Sequence, residues 1–141
     1  MEPTIVVGLE SSALDAAGLV EKVRCAAAGG LVVFEGTTRS PNHGVDVIAL
    51  DYEAWEERVP QQLAGIAAEV AQAHGLLGAV GVHRIGRVAV GEAAVVVVAA
   101  AAHRDAAFAG ARELIDRIKS EAWIWKREIR PDGSVWVEGC E

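Results

Sequence analysis

Two lysines seven residues apart, Lys119 and Lys126, enclose the cluster Trp123-Ile124-Trp125, and Arg127 follows directly. A cation ending a helix complements the negative end of the helix dipole, and that ordinary role would serve Lys119 alone. Lys126 is harder to explain that way, because it directly follows the apolar cluster Trp123-Ile124-Trp125. An ammonium beside indole faces is partly desolvated, and a neighbouring cation such as Arg127 acts in the same direction. Both lower a lysine pKa toward values useful for proton transfer or nucleophilic attack, which makes Lys126 a candidate general acid/base. Two other places set basic residues against apolar runs. Arg39 ends the stretch Phe34-Glu35-Gly36-Thr37-Thr38-Arg39, where a solvated loop arginine is the alternative. His103-Arg104 follow an apolar run and open a helical pattern. Free backbone N–H groups there favour an anion, and an arginine can hold a phosphate through two parallel hydrogen bonds. A capping histidine beside a surface arginine is the alternative.

The elements that position these residues are legible from periodicity. Residues 4–9 alternate weakly and read as a first strand. Residues 14–27 carry Leu14, Leu19, Val20 and Val23 at helical spacing, with Gly29-Gly30 as the stop. Residues 31–36 form an apolar strand and 37–44 a polar loop. Residues 45–53 alternate as a half-buried strand that would pair with 31–36 through that loop. The longest helical pattern spans 56–74, with Pro60 in its first turns, where proline is tolerated. A strand over 79–89 is interrupted by Gly86, a buried strand covers 93–102, and an amphipathic helix covers 105–119. A short strand then closes on the turn Pro131-Asp132-Gly133. This order predicts an α+β fold with a mostly antiparallel sheet, one domain over 1–141. A helix over 105–119 holds its ends about 20 Å apart, so Arg104 and Lys119 of one chain cannot touch the same small ligand. A two-fold dimer could bring them together.

Composition narrows the partners. The chain has 141 residues, 52% of them apolar, and its net charge of −7 argues against general nucleic-acid binding. A local basic pocket in such a chain suits a small anion. The longest apolar run, residues 93–102, falls well short of the roughly 20 residues a membrane span needs. The N-terminus shows no basic region followed by an apolar stretch, so a soluble cytoplasmic protein is expected. Cys25 and Cys140 lie far apart and are expected as reduced thiols. His43, His74, His83 and His103 have no metal-ligand spacing, and no phosphate-loop or nucleophile-elbow pattern occurs, so neither metal nor cofactor is expected.

Taken in order, the motifs are Gly30-Leu31-Val32-Val33-Phe34-Glu35-Gly36-Thr37-Thr38-Arg39, Leu50-Asp51-Tyr52-Glu53-Ala54-Trp55, His83-Arg84-Ile85-Gly86, Ala102-His103-Arg104 with Phe108, and Ile124-Trp125-Lys126-Arg127-Glu128. With them the chain resembles the large, catalytic subunit of molybdopterin synthase, the MoaE family. The resemblance implies the family's alpha/beta hammerhead and a sulfur transfer to cyclic pyranopterin monophosphate that makes the molybdopterin dithiolene. It implies a small ubiquitin-like partner whose C-terminal Gly-Gly thiocarboxylate carries the sulfur, and a homodimer of this chain within a heterotetramer. It assigns Lys119 and Lys126 to the chemistry, and Arg39, His103, Arg104, Phe34 and Arg127 to substrate binding. Trp123 stands where the family usually has proline, which puts the local loop conformation in question. A partner-binding scaffold without turnover, and an unrelated anion-binding domain, are the competing readings.

Overall fold

The computed structural model describes residues 2–138. Its strands fall into two four-stranded sheets. The first places β1 (Thr4–Glu10), β4 (Gly78–Arg84), β6 (Ala93–Ala101) and β2 (Gly30–Thr37) side by side in that order. β1 and β4 run parallel, whereas β6 is antiparallel to both β4 and β2. The second sheet, antiparallel throughout, has the order β5 (Gly86–Ala89), β3 (Ala49–Ala54), β7 (Ile124–Ile129), β8 (Val135–Glu138). The helices are α1 (Ala16–Val23), α2 (Val59–His74) and α3 (Arg104–Glu121).

β6 is apolar without alternation because both its faces are covered. Val95, Val97, Ala99 and Ala101 pack in the core shared with α2 and α3, and Val96, Val98 and Ala100 pack in the one shared with α1. Each fully buried valine contributes about 1.5–3 kcal/mol relative to exposure, so this strand anchors the sheet. The small glycines and alanines let the helices approach closely. A Cβ at Gly110 of α3 would lie 2.8 Å from a Leu76 methyl, and one at Gly81 of β4 would lie 3.1 Å from Ile118 Cδ1.

Several boundaries and one pairing differ from the sequence reading. The strands at 31–36 and 45–53 do not pair with each other: β2 joins β6, and β3 joins β5 and β7. The apolar β2 gains more from lying beside the buried β6 than from closing a local hairpin, and a register shift at Gly36/Thr37 turns the chain out of the first sheet. The predicted strand 79–89 is two strands in different sheets, divided at Gly86, whose φ of 86° makes the left-handed turn that glycine adopts freely. The first helix is shorter than 14–27. Asp15 caps its start by accepting from the Gly18 N–H at 3.1 Å, and Arg24 is already extended. The predicted helix 56–74 starts at Val59, with Pro60 in its first turn, and β3 begins at Ala49 instead of residue 45. The last helix is continuous and slightly longer than 105–119. No helix among the described residues is long and apolar enough to cross a membrane.

β4 starts directly beneath the end of α1, where a Cβ at Gly78 would stand 2.6 Å from the Val23 Cβ. Gly78→Ala should therefore overpack this contact and cost about 1–3 kcal/mol. Urea unfolding should show a lower midpoint at unchanged m-value; an unchanged midpoint would refute the close approach.

Candidate functional site

The chain leaves α3 and enters β7 across only Ala122 and Trp123. Ala122 is extended and its N–H donates back to Ile118 O at 3.1 Å, which ends the helix. The Trp123 N–H donates to Gln62 Oε1 at 2.9 Å, and its carbonyl accepts from Trp55 N at 3.0 Å. The Trp123 ring stacks on Trp55 at 4.7 Å. These contacts hold the corner, and a proline at position 123 could not donate the bond to Gln62. Lys119, in the last turn of α3, is thereby set beside Lys126, the third residue of β7.

β7 alternates. Ile124, Lys126 and Glu128 share one face with Leu50, Tyr52 and Ala54 of β3, and Lys126 lies directly opposite Tyr52 in the register. That face closes over the end of the first sheet and the last turns of α3, leaving a cavity of about 410 Å³. Lys119, Lys126, Arg39, His43, Tyr52 and His83 are among its chemistry-bearing walls, with Ile115, Ile118, Val95 and Trp125 among the apolar lining.

The other face takes Trp125 and Arg127. Arg127 Nη2 donates to Asp51 Oδ2 at 3.0 Å and also to Glu53 Oε1, and Trp125 Nε1 donates to Glu53 Oε2 at 3.1 Å. Arg127, expected to bind substrate, is thus committed to carboxylates across the strand from the cavity. Of the two indoles expected beside Lys126, Trp125 shares the cavity lining with it, and Trp123 does not line the cavity. Trp123 is engaged with Trp55 and the Trp125 indole N–H with Glu53. Phe34 lies on β2, half-exposed and outside the cavity lining.

His103 and Arg104 sit at the opposite end of α3. Arg104 is 15 residues from Lys119 along a continuous helix, about 22 Å. His103 occupies the N-cap position without a side-chain cap hydrogen bond, and both residues are exposed. The structure brings Arg39, Lys119 and Lys126 together in one chain and leaves His103 and Arg104 outside. Cys140 falls outside the described residues.

His83 is a buried site residue to which the sequence reading gave no role, as are Asn42, His43 and Tyr52 on the same cavity wall. It is 8% exposed, on the face of β4 that also carries Gly81 and Ala79 toward α3. Its Nδ1 lies 2.7 Å from the Arg84 carbonyl, which can only accept, so Nδ1 carries the hydrogen and Nε2 the lone pair. Its ring meets Tyr52 edge-on at 4.8 Å. Burial pushes the His83 pKa down to about 4; the Arg84 carbonyl opposes this, and the charges of Lys119 and Lys126 add to it. In the sequence His83 stood out as the polar residue that ends the apolar run Ala79-Val80-Gly81-Val82 and opens the motif His83-Arg84-Ile85-Gly86.

Fold and cavity together define an α+β protein with concentrated positive charge in a cleft between two sheets. The family model described as MoaE protein matches residues 9–121. The molybdopterin synthase catalytic subunit of Oryza sativa subsp. indica is 44% identical over 131 residues, covering 93% of this chain and 68% of that protein. The crystal structure of molybdopterin synthase from Staphylococcus aureus is similar with a TM-score of 0.88 at 29% identity, covering 94% of this chain and 96% of that one. A chain of the protein-protein complex of subunits 1 and 2 of molybdopterin-converting factor from Helicobacter pylori shares the fold, with a TM-score of 0.76 at 19% identity over 93% of this chain and 88% of that one. The chain belongs to the MoaE family.

The buried ring carries a pH prediction. The folded protein takes up the His83 proton only near pH 4, whereas the unfolded chain takes it up near 6.5. Between these values the unfolded state holds the extra proton, so stability is full above pH 6.5 and falls as pH drops toward 4, by about 3 kcal/mol in all. An NMR titration of the His83 ring should give a midpoint near 4; a midpoint near 6.5 would refute its burial as a neutral group.

Proposed function

We propose that the cavity is the sulfur-transfer site of a molybdopterin synthase catalytic subunit, acting on cyclic pyranopterin monophosphate with a small thiocarboxylated partner. The observation that carries this reading is the convergence of Lys119, Lys126 and Arg39 around a neutral, buried His83 in one cavity of about 410 Å³. That volume is in the range of small-molecule sites. Substrate phosphate and thiocarboxylate are both anions. Bringing them together needs fixed positive charge, which is worth most where water is excluded.

The partner's C-terminal tail enters the cavity, and its thiocarboxylate sulfur attacks an electrophilic carbon of the substrate, forming a carbon–sulfur bond. As the cyclic phosphate opens, the leaving oxygen takes a proton from Lys126. Water then adds to the acyl carbon of the tail and the acyl–sulfur bond breaks. The tail departs as a carboxylate and the sulfur stays on the substrate. A second transfer completes the dithiolene. Lys119 orients the thiocarboxylate or the sulfur-bridged intermediate, Arg39 holds an anionic oxygen, and His83 offers a lone pair at the wall without adding charge.

His103 and Arg104 join this site only from a second copy of the chain. The unbroken α3 supports that arrangement, since it keeps them about 22 Å from Lys119 in their own subunit. The working unit is then a homodimer with one small partner at each end.

Reconstitution of the purified chain with cyclic pyranopterin monophosphate and the thiocarboxylated partner should yield molybdopterin, followed as its fluorescent oxidation product, only when both are present. Lys119→Ala should lower the rate by about 100-fold or more while the complex with the partner still forms on a sizing column. Full activity of Lys119→Ala would remove that lysine from the chemistry. A folded chain that binds the partner but makes no product would favour a scaffold.

A further inference from the structure

Arg39 lies in the loop that joins β2 to β3, exposed and on a long, rotamer-rich side chain. A guanidinium in such a loop loses much of its value as an anion anchor unless something limits its freedom. In this chain one side chain does so. Arg39 Nη2 donates to Asn42 Oδ1 at 3.0 Å, and Asn42 Nδ2 donates to Glu128 Oε2 at 3.0 Å. The amide orientation follows from chemistry, because a guanidinium can only donate and a carboxylate can only accept. The Asn42 backbone is pinned as well: its N–H donates to Val45 O at 2.9 Å, and its carbonyl accepts from Val45 N at 3.0 Å.

The far end of this chain of contacts is rigid. Glu128 is 2% exposed and its second oxygen accepts from Arg130 Nε at 3.1 Å. Against the burial that would raise it, the bonds from Asn42 and Arg130 hold the Glu128 carboxyl below its usual range, so it stays an acceptor. Glu128 also stands two residues beyond Lys126 on the same face of β7. A single strand therefore places the Lys126 ammonium directly and the Arg39 guanidinium through Asn42.

We propose that Asn42 is a positioning residue for the anion site: by bridging Arg39 to the buried Glu128, it ties the loop guanidinium to the strand that carries Lys126. This rests on the anion-holding role given to Arg39 above. Asn42 needs no contact with the substrate to do this. Neither Asp nor Ser can reproduce it, since Asp offers Glu128 no donor and Ser is too short to span both groups.

The test is a double-mutant cycle in the reconstituted reaction, with the full chain, saturating thiocarboxylated partner and varied cyclic pyranopterin monophosphate. Asn42→Ala should raise KM about 5–10-fold with kcat within about twofold, the loss expected for one charge-assisted contact. In an Arg39→Ala background the same substitution should leave KM unchanged, because the group it positions is gone. Asn42→Ser gives the same reading should the alanine variant fold poorly. If Asn42→Ala leaves KM at the wild-type value, or its effect persists in full in the Arg39→Ala background, the positioning role is overturned while the anion role of Arg39 stands. If Arg39→Ala alone leaves KM unchanged, the anion role falls and the positioning role with it.

Discussion

The antiparallel pairing of β3 with β7 sets the distances in the cleft. It lays Lys126 opposite Tyr52 and Glu128 opposite Leu50, and it turns Arg127 and Trp125 toward Asp51 and Glu53 on the other face. A slip of one residue would exchange the two faces, putting Arg127 into the cavity and Lys126 among carboxylates. The register is held from both ends. Trp55 and Gln62 clamp Trp123 at the corner after α3, and the Glu128 contacts tie the far end of β7 to the loop before β3.

The same sheet sorts charge in an acidic chain. With a net charge of −7, the protein gathers Lys119, Lys126 and Arg39 into one partly enclosed space, while the carboxylates of Asp51 and Glu53 are satisfied by Arg127 behind it. A cleft lined by one sign of charge, with apolar walls from Val95, Ile115 and Ile118, focuses potential on an incoming anion. His83 adds a polar atom to that wall and stays uncharged, because burial and two nearby ammonium groups both disfavour its proton.

Much of this was legible beforehand, and the failures have identifiable causes. The long helices and the buried strand came from periodicity that packing reinforced, and the helix expected over 105–119 runs unbroken from Arg104 to Glu121. The ordered set of motifs from Gly30 to Glu128 carried the resemblance to the MoaE family, to which the chain belongs. The pairing of residues 31–36 with 45–53 failed because local loop closure was weighed without the alternative partner, β6, far along the chain. The single strand over 79–89 failed at Gly86, where a left-handed turn moves the chain from one sheet to the other.

What the sequence determined by itself was local: which segments are helical, which strand is buried on both faces, and that Lys119 and Lys126 must stand near one another, since only a helix end and a strand start separate them. What only the tertiary structure decided was side-chain direction and company. Lys126 and Arg127 are adjacent and both cationic, yet the alternation of β7 sends one into the cavity and the other to Asp51 and Glu53. His83 lies 36 residues before Lys119 and Asn42 86 before Glu128, and no short-range pattern relates either pair. Their meeting depends on two sheets closing over one helix end, a long-range contact that periodicity does not encode.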